Sequence, residues 1–360
     1  MVESNALLKR RSPKGYRGFE SLPHRITNLS ACEVLNPLAT VQYSRLRKKM
    51  DPYTLPSDKS VLSVRFWGVR GSIPSPEPEN LRYGGNTSCV EVRAGSHIFI
   101  FDAGSGIRRL GRELAKEFGD RPIDATLFIS HTHWDHIQGL PFFQTAYSAS
   151  NRIRILGGSG TAATLRTAFK NQMASIHFPV PLSHLVGLEP VGELAGERAL
   201  LNGVRIRTIA LNHPGGCTGF RVEAGGASVA YLPDHEPYRS VTISGKLAAI
   251  ARAEDLSAEL TEFVRDCDLL ILDSQYRRDE YPARVGWGHG CLDDSIELAS
   301  RANVGELALF HHDPEHDDET IDAMVAEGRQ LAADAGTPLQ VRAAQERERV
   351  VVVERSQLAA

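Results

Sequence analysis

From residue 61 onward, apolar residues fall into short blocks separated by Gly, Pro and polar residues, a rhythm that predicts alternating strands and helices. Residues 61–69 alternate in part and predict a strand. A loop over 72–86, punctuated by Pro74, Pro76, Pro78, Gly84 and Gly85, separates it from two more strands at 88–92 and 97–101. Ile107, Leu110, Leu114 and Phe118 recur at helical spacing, so 107–118 is expected to be a helix with one buried face. A strand at 126–130, a strand at 152–156 and a helix at 161–173 follow. Residues 174–200, broken by Pro179 and Pro181, read as loop with short strands.

The second part of the chain repeats this style. A strand is expected at 204–211, then a hairpin from 219–223 and 227–232 around Gly225 and Gly226. A helix at 246–266 leads to a buried strand at 269–273, and a helix at 292–302 to a strand at 306–310. The helix at 317–333 places Ile321, Met324, Val325, Gly328 and Leu331 on one face, and a strand at 349–353 ends the pattern. Strands followed by helices in both halves imply an α/β fold, layered as an αββα sandwich.

Residues 1–60 break the rhythm. Lys9, Arg10, Arg11, Lys14 and Arg17, then Arg45, Arg47, Lys48 and Lys49, outnumber the acids there, and apolar periodicity is weak. This segment reads as a basic, poorly ordered N-terminal extension, or as sequence ahead of a start at Met50. The functional alternative is an arm that contacts the phosphates of RNA. The folded domain is then expected over 61–360.

Composition changes the picture little. Hydrophobic residues at 42% and charged residues at 24% are ordinary for a globular protein. A net charge of −3 argues against a chain devoted as a whole to nucleic acid. Cys32, Cys89, Cys217, Cys267 and Cys291 are scattered, odd in number and without a C-x-x-C pair, which fits free thiols in a reducing compartment. With no apolar signal region and no run of membrane-spanning length, a cytoplasmic protein is expected.

The chemistry gathers at strand ends. The stretch 130–139, SHTHWDHIQG, follows the apolar run 126–129 and sets three histidines and a carboxylate within six positions. In an extended segment His131 and His133 point the same way, while Asp135 and His136 start a new direction. That spacing suits two metal ions, unlike the helical His-Glu-x-x-His pattern. His213, Asp234 and His311 each also stand just past an apolar run, and parallel strand ends would bring all of these to one rim. Imidazoles and carboxylates without thiolate suit zinc, manganese or iron.

The H-x-H-x-D-H cluster, with the later His and Asp, resembles the metallo-β-lactamase superfamily over roughly residues 61–353. The resemblance implies that superfamily's four-layer sandwich and a dinuclear site, with zinc first among the candidate ions. By position, His131, His133 and His213 would hold one metal. Asp135, His136 and His311 would hold the other, with Asp234 between them and His312 the alternative to His311. The segment Gly288-His289-Gly290, followed by a helix and then Leu307-Ala308-Leu309-Phe310-His311, is similar to the phosphodiesterase branch that includes ribonuclease Z. There a histidine at the position of His289 contacts the phosphate and assists the leaving group. The sequence departs from that branch at Gly290 and Cys291, where a larger residue and a hydroxyl side chain are usual.

The resemblance implies a phosphodiesterase for a small or cyclic nucleotide or a short RNA end, working through a metal-bridging hydroxide. Asp135 would orient that hydroxide, and His289 would donate to the departing oxygen. Thioester or lactam hydrolysis is the rival enzyme reading, for which His289 is unnecessary. A non-catalytic metal- or RNA-binding regulator is the rival of another class. A nucleotide phosphodiester is the expected ligand, and a second copy of the chain a candidate partner. Asp102 would hydrogen-bond a metal-bound histidine. His235 and Glu236 either line the cleft or lie on a loop surface. Gln275, Tyr276 and Tyr281 either stack on a base or pack in a loop.

Overall fold

The structure is a computed structural model, and it describes residues 62–194, 198–199, 204–238 and 247–353. The basic segment 1–60 and the arm reading attached to it lie outside the described residues.

Two seven-stranded sheets form the middle of the molecule. The first contains β1 (Leu62–Gly68), β2 (Cys89–Ala94), β3 (His97–Phe101), β4 (Asp124–Phe128), β5 (Arg152–Gly157) and β6 (Gly192–Glu193), with β14 (Arg349–Val352) on the far side of β1. The second runs β7 (Arg198–Ala199), β8 (Arg205–Leu211), β9 (Cys217–Ala224), β10 (Ala227–Leu232), β11 (Leu269–Asp273), β12 (Glu306–Phe310) and β13 (Gln340–Ala343). In each sheet one part is antiparallel and the other parallel: β3 to β6 in the first, β10 to β13 in the second.

Side-chain alternation explains the layers. Phe99 and Phe101 of β3, Tyr231 of β10, Ile271 of β11 and Phe310 of β12 point between the sheets into one shared core. Their neighbours Ile98, Ile100, Leu270, Leu272, Leu307 and Leu309 face outward. Helices α1 (Ile107–Phe118) and α3 (Ala162–Gln172) cover the outer face of the first sheet. The outer face of the second is covered by α4 (Leu247–Phe263), α5 (Leu292–Arg301) and α6 (Asp318–Asp334). The result is the αββα sandwich that the strand-then-helix rhythm predicts.

Two local differences stand out. Strand β13 was not expected; only Val341 and Ala343 of its residues are buried, and it exists by pairing with β12. The histidine stretch is not extended throughout: α2 (Trp134–Ile137) is a single helical turn that starts right after His133.

Candidate metal centre

The parallel ends of both sheets open on one rim, and the chain reverses there in the same way twice. Asp102, directly after β3, has φ of 61°, and His311, directly after β12, also has φ of 61°. Left-handed backbone at non-glycine residues is strained, and it aims both side chains back over the rim. The turn after His133 does the rest. With His133 extended and 134–137 helical, Asp135 and His136 enter from a new direction, and the His136 ring comes to 4.3 Å from that of His131.

Seven side chains meet as a result. His131, His133, His213 and Asp234 bring one donor atom each to within 4.8 Å of one another, and Asp135, His136, Asp234 and His311 do the same. Asp234 belongs to both groups: its Oδ2 lies 3.5 Å from His131 Nε2 and 3.6 Å from His213 Nε2, while its Oδ1 lies 3.0 Å from His136 Nε2 and 3.3 Å from His311 Nε2. Asp135 Oδ2 stands 3.1 Å from both His136 Nε2 and His311 Nε2. Every residue expected at the site from the sequence is brought to it. His312 is turned away, its Nε2 donating to the Ala344 carbonyl at 3.0 Å, and burial holds its imidazole neutral with a pKa of about 3.

The far nitrogens of these rings are held by oxygen atoms. His136 Nδ1 meets Asp102 at 2.8 Å, His213 Nδ1 the Gly288 carbonyl at 2.8 Å, and His311 Nδ1 the Gln275 side-chain oxygen at 3.0 Å. Asp102 is itself fixed by the Ser130 amide, the Ser130 hydroxyl and the Tyr231 hydroxyl. Such partners set which nitrogen carries the proton and leave the other as a lone-pair donor. Burial pushes His131 well below the usual histidine range. Burial alone would raise Asp234 and Asp135, but the neighbouring imidazoles, His136 foremost, hold both carboxyls well below their ordinary values.

This donor set fits divalent ions. His131 Nε2, His136 Nε2 and Asp234 Oδ1 are buried and have no aligned hydrogen-bond partner, although His136 Nε2 and Asp234 Oδ1 are only 3.0 Å apart. Leaving three such atoms unpaired costs several kcal/mol in total, at about 1–3 kcal/mol each; a cation between them removes that penalty.

His289 completes the rim. Its Nδ1 pairs with Asp273 at 2.9 Å, and its ring lies 4.9 Å from that of His311 and 5.2 Å from that of His213. Burial would lower its pKa, but Asp273, followed by Asp234 and Asp135, outweighs that and lifts it to about 9. Asp273, at the end of β11, also accepts from the His235 and Gln275 amides.

The residues left open by the sequence are decided by their contacts. Glu236 is buried and accepts from Tyr281 Oη, Gly286 N and Gly288 N, so it ties down the 281–288 loop. Gly288 is required there: its φ is +92°, and a side chain would run into the His213 ring. His235 is buried, with a pKa near 4 from desolvation. Gln275 is spent on His311 and Asp313, Tyr276 is buried, and Tyr281 is bonded to Glu236. Gln275 and Tyr276 are therefore buried in the structure, while Tyr281 is half-buried with its hydroxyl bound.

Sequence reasoning missed other parts. Ser72 N donates to Asp135 Oδ2 at 2.8 Å. Arg70, fully buried, clamps the Gly84, Asp313 and His316 carbonyls behind it. Two exposed tryptophans are neighbours of the cluster in the chain, Trp134 directly after His133 and Trp287 two residues before His289. For Trp134 the signal was in plain view, between His133 and Asp135.

A family model described as "Beta-lactamase superfamily domain" matches residues 97–312. The chain belongs to the metallo-β-lactamase superfamily. Within it the chain is ribonuclease Z-like, and it is a metal-dependent hydrolase. A protein named Ribonuclease Z from Mycobacterium sp. is 30% identical over 251 residues, covering 67% of this chain and 81% of that protein. Another from Thermoplasma acidophilum is 26% identical over 294 residues, covering 73% and 90%. The crystal structure of the metallo-beta-lactamase fold protein YhfI from Bacillus subtilis superposes with a TM-score of 0.57 at 16% identity, covering 81% of this chain and 99% of that one. It shares the sandwich. No helix among the described residues is long and apolar enough to cross a membrane.

Proposed function

We propose that this hydrolase is a phosphodiesterase with a dinuclear centre, acting on a small nucleotide phosphodiester or a short RNA end. The observation that carries the reading is His289, held by Asp273 beside both donor groups rather than within either four-residue set. His131, His133, His213 and Asp234 would hold one divalent ion, and Asp135, His136, His311 and Asp234 the other. Zinc leads among the candidates because the set is imidazole and carboxylate at short range, with manganese and iron next. Such a pair, when bound, lowers the pKa of a bound water and neutralises charge on the phosphate oxygens.

The chain's own groups do the rest. Asp135, anchored by the Ser72 amide, orients the attacking oxygen and accepts its proton. His289 keeps Nδ1 on Asp273, which leaves Nε2 to donate to the departing alkoxide. Thioesters and lactams do not need that donor, and the relatives named Ribonuclease Z support phosphate chemistry over them.

The test is purified protein with Zn or Mn, assayed on a chromogenic phosphodiester, a cyclic nucleotide, a thioester and a lactam, beside His289→Ala. Phosphodiester turnover that falls by roughly 10²–10⁴-fold in the variant is expected. Thioester cleavage indifferent to the substitution, with no phosphodiester turnover, would sink the reading.

A further inference from the structure

Trp134 is 78% exposed and Trp287 is 58% exposed, in a chain that buries its third tryptophan, Trp67, almost completely. Tryptophan buries more apolar area than any other side chain, and leaving two in water forgoes a large stabilisation. Both are close in the chain to histidines of the metal centre. Trp134 follows His133, the exposed member of its donor group. Trp287 precedes Gly288, whose carbonyl holds His213, and His289. A single imidazole separates those two histidines: the His213 ring is 4.8 Å from that of His133 and 5.2 Å from that of His289.

The Trp287 side carries one more feature. Arg284 lies with its guanidinium 4.8 Å from the Trp287 ring centroid, a cation–π contact that favours one orientation of the ring. Its neighbours Arg277 and Arg278 are paired with Asp279 and Asp293. Among the described residues Arg284 forms no ion pair with a carboxylate, and its guanidinium rests on the Trp287 ring.

Resting on the phosphodiesterase reading, we infer that the substrate is a linear dinucleotide bearing a terminal phosphate, with one base on Trp134, the other on Trp287, and the terminal phosphate at Arg284. A phosphodiester has two ester arms, and the chain has one exposed aromatic platform for each. Stacking needs only a planar face, so it accepts any base and fixes the number of bases rather than their identity. A cyclic mononucleotide, with one base, engages one platform and leaves the other in water.

The decisive experiment compares a 5′-phosphorylated linear dinucleotide, the same dinucleotide without that phosphate, a 3′,5′-cyclic mononucleotide and ethyl p-nitrophenyl phosphate, which carries no base. The Zn- or Mn-loaded full chain is assayed beside Trp134→Ala, Trp287→Ala, Trp134→Phe, Trp287→Phe and Arg284→Gln. Each alanine variant should raise KM for the dinucleotide about tenfold or more with a smaller change in kcat, and each phenylalanine variant should restore most of it. Arg284→Gln should raise KM for the phosphorylated dinucleotide selectively. Dinucleotide turnover whose KM is indifferent to both alanine substitutions overturns the two-base assignment and leaves the phosphodiesterase reading standing. Absence of turnover on every phosphodiester overturns that reading, and this inference with it.

Discussion

Asp102 shows how one carboxylate can govern a site it does not enter. It takes three hydrogen bonds from Ser130 and Tyr231 and holds His136 Nδ1, all in a buried position. Asp102→Asn keeps the shape and tolerates the φ of 61°, since asparagine is among the few residues that adopt left-handed backbone readily. It replaces one acceptor oxygen by an NH2 group facing donors and removes the charge behind His136. Zinc affinity should fall about 10- to 100-fold by competition with a chelator, with an unchanged far-ultraviolet spectrum. Unchanged zinc affinity would show that Asp102 serves only to close the turn after β3. Most of the donor set was legible at this scale because each member ends an apolar run. The choice between His311 and His312 was not legible, since neighbours in one turn differ only in backbone dihedral. The place of Trp134 between two donors was visible, but its exposure, like that of Trp287, was not, because exposure depends on what the rest of the chain leaves uncovered.

At the scale of elements, the segment between β11 and α5 carries the departures from the phosphodiesterase pattern. Gly290 is explained by contact: a side chain there would meet the Asp273 carbonyl. Cys291 occupies the N-cap of α5, with extended backbone and no side-chain cap bond, ahead of Asp293 and Asp294 in the first turn. A hydroxyl at that place can accept a backbone N–H that a thiol accepts poorly. Cys291→Ser should therefore stabilise the protein by about 0.5–1 kcal/mol in urea unfolding; a loss would mean that packing of the buried thiol outweighs the cap. The preceding loop depends on Glu236, whose carboxylate gathers Tyr281, Gly286 and Gly288. Glu236→Gln swaps one oxygen for a donor facing N–H groups, at a cost of about 1–3 kcal/mol to the closed loop. Amide exchange over 281–289 should accelerate while the β10 and β11 amides keep their protection. The helices with a strong apolar face and the hairpin at β9 and β10 were readable from periodicity. Strand β13 was not, since two buried residues make no pattern until β12 supplies the partner.

At the scale of the whole molecule, the donor groups stitch the two halves of the sandwich together. His131, His133, Asp135 and His136 leave the end of β4 in the first sheet, while His213, Asp234 and His311 leave β8, β10 and β12 in the second. The sheets already share an apolar core between them, so the fold does not depend on ions for its existence. Ions bound across the seam nevertheless bind the folded chain and not the unfolded one, which adds stability by mass action. A free concentration 100-fold above the dissociation constant contributes about 2.7 kcal/mol per independent site. For a chain of this size each kcal/mol moves the melting point by about 1–2 °C. Chelation should then lower Tm by roughly 3–5 °C for each ion removed, and readdition of zinc should restore it. His213→Ala, which takes a donor from one group only, should abolish about half of the zinc-dependent shift, measured against the same variant after chelation. A chelated protein that melts where the loaded one does would argue that the buried, unpaired atoms of His131, His136 and Asp234 are satisfied without a cation, and would remove the basis of the dinuclear assignment.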